Sequence, residues 1–279
     1  MNYLKRFNES KDDIASICKK YNITNYTINS DGTIDVDDDV DLRGSGFWDF
    51  FKSKGLGKKN NWTLDILPLK FGKVSGSFDC RYNYLTTLEG CPIEVSGDFY
   101  CSDNLLTSLE GCPSEVRRFL AGDNLFIDLT GCPQIINGDF NVSRNPNLTS
   151  LKGGPKKVLN KGYYSFSNTE LVDPSRFLEM DDFNGSITFN YTPFCNVLGL
   201  FLSDGFGLSS CGCIDLNTCR HNKDDEYVYL MIRSIINRGI INGNEIILDR
   251  LYSLYYDLLD EGAVNLIEGK LNLPGYVLI

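Results

Sequence analysis

The chain has 279 residues, enough to bury a sizeable core, and no run approaching 18 consecutive apolar residues, which argues against a membrane-spanning helix. Its formal net charge of −10 argues against nucleic acid, since binding phosphates needs a basic surface; protein partners suit an acidic surface better. The start, MNYLKRFNES, lacks the apolar segment of a secretory signal, so the expected location is the cytoplasm, with the ten cysteines mostly reduced.

Residues 1–35 read as an N-terminal cap. ESKDDIASICKKY, from Glu9, places acids early, bases late and Ile14, Ile17 and Cys18 at helical spacing. YTINSDGTIDV then alternates around Ser30-Asp31-Gly32, a hairpin signal.

Residues 36–193 read as a solenoid. The sentence V-S-G-S-F-D-C-R-Y-N-Y-L-T-T-L-E-G-C-P from Val74 returns from Val95, and in looser form from Val116 and Ile136, with Asn83, Asn104, Asn124 and Asn145 in register. A period of about 21 residues marks stacked coils. Phe78 and Cys80, Phe99 and Cys101, Phe119 and Ala121, and Phe140 and Val142 are two apart, so in a strand they share one face and form the core. The Asn sits where the chain bends, able to bond unpaired groups of adjacent coils, and the Leu positions after it turn back inward. Gly-Cys-Pro then rules out a helix on the outer side. Val36 to Phe47 fits the same wording, with Ser45 at the Asn position.

Between Phe47 and Leu67 that first coil carries an insertion, roughly 48–64, holding Trp48, Trp62 and four lysines. Two readings stand: an aromatic finger for a partner, or a flap folded over the solenoid flank. The acidic run Asp35 to Asp41 lacks the glycine and distal glutamate of a calcium loop and reads as solvated strand and turn residues. After Val158 two degenerate coils follow, Tyr163-Tyr164-Ser165 with Asn168 and Ile187-Thr188-Phe189 with Thr192. Seven strands about 4.8 Å apart predict a parallel sheet roughly 30 Å long.

Residues 194–279 read as a C-terminal cap with amphipathic helices over Asp224 to Arg238 and Asn244 to Glu261, covering the last open edge. Its loop at about 203–223 contains Cys211, Cys213, Cys219 and His221, the chain's one histidine. These could close a structural zinc site, although the spacing is not that of a familiar finger; reduced thiols are the plainer reading, with no cofactor.

These coils resemble short, bacterial-type leucine-rich repeats, whose wording is close to L-x-V-x-x-N-x-L-T-x-L-x-x-x-P. MNYLKRFNES, the L-T-x-L-E-G-C-P coils and I-I-L-D-R-L near the end resemble leucine-rich-repeat proteins of large T-even-like tailed bacteriophages. The resemblance implies an α/β solenoid with a short parallel sheet on its concave face, a non-helical convex side and helical caps, used for binding and not for catalysis.

On that face the core positions repeat while outward ones change. Asp79, Arg81, Tyr82, Tyr100, Asp103, Asp123, Asn141, Arg144, Tyr164 and Phe166 are the candidate partner-binding residues, with Trp48 and Trp62 from the insertion. Surface residues also vary where nothing binds, so an array serving as a structural virion or assembly component is the alternative. A remote one is a thioester-type ubiquitin ligase, because Cys213-Ile-Asp215 resembles a C-x-D nucleophile motif, though such catalytic domains are far larger than the chain remaining here.

Overall fold

The structure, a computed structural model, describes residues 11–45, 62–160, 162–176, 186–189, 191–200, 232–258 and 271–279. Trp48 and the Cys211, Cys213, Cys219 and His221 loop lie outside them.

Helix α1 (Lys11–Lys20) turns Ile14 and Cys18 into the core and ends on Lys19 and Lys20, which favour the carbonyl end of a helix. Strands β1 (Tyr26–Ile28) and β2 (Ile34–Val36) form the expected antiparallel hairpin; Gly32, at φ 84°, takes the left-handed turn position.

The chain then winds as a parallel-strand solenoid. One ladder contains seven strands: β3 (Val40–Asp41), β5 (Phe78–Asp79), β7 (Phe99–Tyr100), β9 (Phe119–Leu120), β11 (Phe140–Asn141), β13 (Tyr163–Ser165) and β14 (Ser186–Thr188). Each coil presents the first residue of its Phe pair to the core and the next residue outward, as the period of two requires. Phe78, Phe99, Phe119 and Phe140 stack at centroid separations of 5.7, 6.0 and 5.9 Å. Burying each such ring contributes about 2–3 kcal/mol.

The V-S-G segments, expected only to start each coil, form strands of their own. Strand β4 (Phe71–Val74) lies between β2 and β6 (Glu94–Val95), while β8 (Glu115–Val116), β10 (Ile135–Ile136) and β12 (Lys157–Val158) make a separate sheet. The break between β6 and β8 has a sequence cause. Val116-Arg117-Arg118-Phe119 is one residue shorter than Val95-Ser96-Gly97-Asp98-Phe99, and the Arg117 amide bonds to Gly97 O. The equivalent Asn137 and Leu159 amides bond to Val116 O and Ile136 O. A groove of about 460 Å³ opens at this seam, between Ile93–Ser96 and Ser114–Arg117.

The bend asparagines do what a buried amide must. Asn104 Nδ2 donates to Cys80 O, Cys101 O and Ser102 O at 3.0–3.2 Å, and its Oδ1 accepts from Leu85 N. Asn83 and Asn124 repeat the pattern. Asn145 keeps the donor half, but among the described residues its Oδ1 has no partner; Pro146 adds a residue to the bend that follows. The acidic run is more than solvated: Asp35 Oδ1 accepts from Lys73 N, Asp37 Oδ1 from Ser75 Oγ and Asp39 Oδ1 from Ser77 N. Alternate aspartates thus fasten the first coil to the second.

In the first coil after Val158 the register differs from the expected one by a residue. Tyr164 pairs with Phe140 and Ser165 with Asn141, so Tyr164 and Phe166 occupy the two core columns, each 1% exposed, and not the outer face. Six residues separate Val158 from Tyr164 where four separate Val95 from Phe99, and the longer corner delays the strand. For the same reason Thr169 takes the bend position expected of Asn168, bonding to Phe166 O at 2.8 Å. Thr192 does so in the next coil, as expected, and also caps α2 (Pro193–Gly199) by accepting from Cys195 N.

The C-terminal part differs from the expected helical pair. Residues 232–237 are helical, but Glu245–Ile246 is strand, since Gly243, at φ 62°, and Asn244 make a tight turn before it. Strands β15 (Ile241–Asn242), β16 (Glu245–Ile246) and β17 (Val277–Leu278) form a small sheet, and helix α3 (Leu248–Leu258) begins after β16. Tyr276 OH donates to Val172 O at 2.7 Å, tying this part to the solenoid. Among the described residues no helix is long and apolar enough to cross a membrane.

Candidate functional site

The outer side of the seven-stranded ladder gathers most of the residues singled out by the repeat comparison. Its first half is a lattice of charge pairs. Arg43 grips Asp41, and Arg81 grips Asp79 through Nε at 3.0 Å and Nη2 at 2.7 Å. Arg43 Nε also lies 3.6 Å from Asp79 Oδ2, linking the coils.

The centre of the lattice is Asp98, whose side chain is 3% exposed. Arg117 bonds both of its oxygens, at 2.8 and 2.9 Å, Arg118 Nε bonds Oδ2 at 3.0 Å, and Tyr100 OH donates to the same oxygen. Burial alone would raise the Asp98 carboxyl, but these bonds from two arginines and a phenol outweigh it and hold it well below the usual carboxylate range. Tyr100 is pushed up to about 12 by burial and by donating to an anion. Its ring lies between two guanidiniums, Arg81 at 4.7 Å and Arg118 at 5.7 Å from the centroid. The result is a planar aromatic ring flanked by two guanidiniums and fixed at its hydroxyl.

The second half is neutral. Asn141 Oδ1 accepts from Ser143 N and Ser143 Oγ, while Thr188 Oγ1 donates to Ser165 Oγ at 3.3 Å and accepts from Ser167 Oγ at 2.9 Å. Tyr163 OH lies 3.2 Å from the same threonine, and Ser165 and Ser167, level with Asn141 and Ser143, occupy the outer positions expected of Tyr164 and Phe166.

Beside the strands runs a column in the left-handed backbone region: Tyr82, Asp103, Asp123, Arg144, Asn168 and Tyr191, all with φ between 55° and 60°. A non-glycine residue there costs about 1 kcal/mol or more. The tight bend imposed by the buried amide or hydroxyl just after each of them holds it in place. Arg144 Nε bonds Asp123 at 2.8 and 2.9 Å. Asp103 is raised, by burial first and by the neighbouring Asp123 second.

Trp62 belongs elsewhere. Its ring meets Tyr21 edge-on at 5.0 Å, in the cap, and its backbone carbonyl accepts from Ser45 N. This favours the covering reading over the finger for that residue. Sequence comparison overlooked Asp98, Arg117 and Arg118, because they precede the strand pair; the signal available was an arginine pair in the one shortened corner.

Among the described residues no group of His, Cys, Asp and Glu is placed to hold a metal ion. Comparison with known proteins adds no name to the site: no protein-family model, no curated protein and no solved structure matches the chain.

Proposed function

We propose that the chain is a non-enzymatic interaction module of leucine-rich-repeat type, of the kind encoded by large T-even-like tailed bacteriophages, that binds a protein partner through the outer face of its seven-stranded ladder. The observation that carries this reading is Tyr100 held between Arg81 and Arg118 over buried Asp98. Tyrosine and arginine dominate the energetics of protein interfaces, and side chains already ordered before association lose less entropy on binding. A repeating core with outward positions that change in kind from coil to coil suits recognition of one particular surface.

The test is affinity capture from phage-infected host cells with the wild-type chain and with Tyr100→Ala plus Arg118→Ala. A protein captured by the first and lost from the second supports recognition. Co-purification with particles alone, unaffected by the substitutions, would favour a structural virion or assembly role instead.

A further inference from the structure

Three apolar side chains follow the bend asparagines on successive coils: Tyr84, 64% exposed, Leu105, 43% exposed, and half-buried Leu125; Ile127, two residues on, is 64% exposed. Their backbones are locked into a staircase, since the amides of Tyr84, Leu105 and Leu125 donate to Leu64 O, Leu85 O and Leu106 O at 2.8–2.9 Å. A row of large apolar groups held in register and open to water is the costly arrangement, where a threonine or serine would serve a bend equally well.

Two residues before Leu105 on the same coil, in the neighbouring left-handed column between Tyr82 and Asp123, stands Asp103. Its carboxylate makes no hydrogen bond or ion pair among the described residues, although Arg144 fully engages its neighbour Asp123. It is held at a left-handed backbone position where glycine would be cheaper. An acid kept there, partly desolvated, whose nearby cations Arg144 and Arg81 are hydrogen-bonded to Asp123 and Asp79 instead, is complementary to a partner's lysine or arginine.

The spacing selects the partner's conformation. Coils repeat every 4.8 Å or so, and an α-helix brings side chains to one face about every 5.4 Å, so apolar residues at i, i+4 and i+7 stay within about 1 Å of the staircase over three coils. An extended strand offers a side chain to one face about every 6.7 Å and drifts out of step by nearly 4 Å over the same distance.

Resting on the reading of the array as a protein-binding scaffold, we infer that this flank docks an amphipathic helix of the partner, its apolar stripe on Tyr84, Leu105 and Leu125 and a basic residue on Asp103. A second copy of this chain is disfavoured as the occupant by the net charge of −10.

The test uses a synthetic 18-residue helical peptide with a leucine stripe flanked by lysines, and its counterpart with glutamates for the lysines, titrated calorimetrically into the full chain at physiological salt. The lysine peptide is expected to bind and the glutamate peptide not. Tyr84→Ser plus Leu105→Ser should weaken binding about tenfold, and Asp103→Asn several-fold. Ile93→Ser, which removes an exposed apolar group on the V-S-G side, should change nothing. Equal affinity across all variants would mean general attraction to an acidic protein and would overturn the inference, as would no binding. A natural partner that is lost with Tyr100→Ala plus Arg118→Ala, yet retained by Tyr84→Ser plus Leu105→Ser, would leave the strand-face reading standing and remove this one.

Discussion

In the coils between Val74 and Leu151 the buried residue at the bend is asparagine, and in the two coils after Val158 it is threonine. The backbone follows the same path in both, down to the left-handed residue before the bend: Asp103 and Asp123 in one set, Asn168 and Tyr191 in the other. What changes is the number of partners. Asn104 engages three carbonyls and one amide, two of these four groups in the preceding coil, whereas Thr169 engages one carbonyl of its own coil. The amide joins coils to one another, while the hydroxyl only shapes its own bend. The outer face divides in parallel, from ion pairs around Asp98 to a hydroxyl cluster around Thr188.

Asn104→Ala should give the largest loss, about 4 kcal/mol in urea unfolding, near 1 for each of four backbone groups left without a partner. A loss no greater than that of the threonine variant below would erase the distinction.

Asp98→Asn should cost about 2 kcal/mol at neutral pH, limited because Arg117 and Arg118 are partly exposed and can return to water. Because the folded-state value of Asp98 lies below its unfolded one, its contribution is present above the ordinary carboxylate value near 4 and lost as pH falls below it. The variant should therefore show a flatter decline in stability below about pH 4 than the wild type. The same substitution should bring Tyr100, followed by phenolate absorbance, down from about 12, since its anion-bound hydrogen bond is gone.

Thr169→Val should cost only about 1 kcal/mol, and amide exchange around Val172 should already be faster than around Leu106 in the wild type. Asp123→Ala, which removes the exposed pair with Arg144, should change stability by about 0.5 kcal/mol or less.

Much of this architecture was legible because the repeat is written in side chains with one physical reading each. Phe99, Cys101, Asn104 and Leu106 face inward as their spacing demands, and Asp31-Gly32 makes its turn. The reading failed where register depended on corner length. Tyr163 and Tyr164 are the same letter, and only the longer path from Val158 decides which one is buried. Glu245–Ile246 failed for another reason: apolar residues at helical spacing hid the short hairpin with Ile241–Asn242 across Gly243, and its second pairing strand, Val277–Leu278, lies far along the chain. Of the candidate site, the strand-face residues could be found by comparing coils, but Asp98 could not, since an acid in a corner looks solvated until two arginines one winding later close over it.

The one-residue shortening before Phe119 has a mechanical meaning. With β6 and β8 unpaired while β7 and β9 remain paired, the V-S-G side at that level is joined by the Arg117 amide on Gly97 O and the Arg117 guanidinium on Asp98, not by a strand pair. Tension applied across the two ends would open that side there first, because a few bonds around Arg117 give way more easily than a paired strand, leaving the strand face that joins the two halves intact.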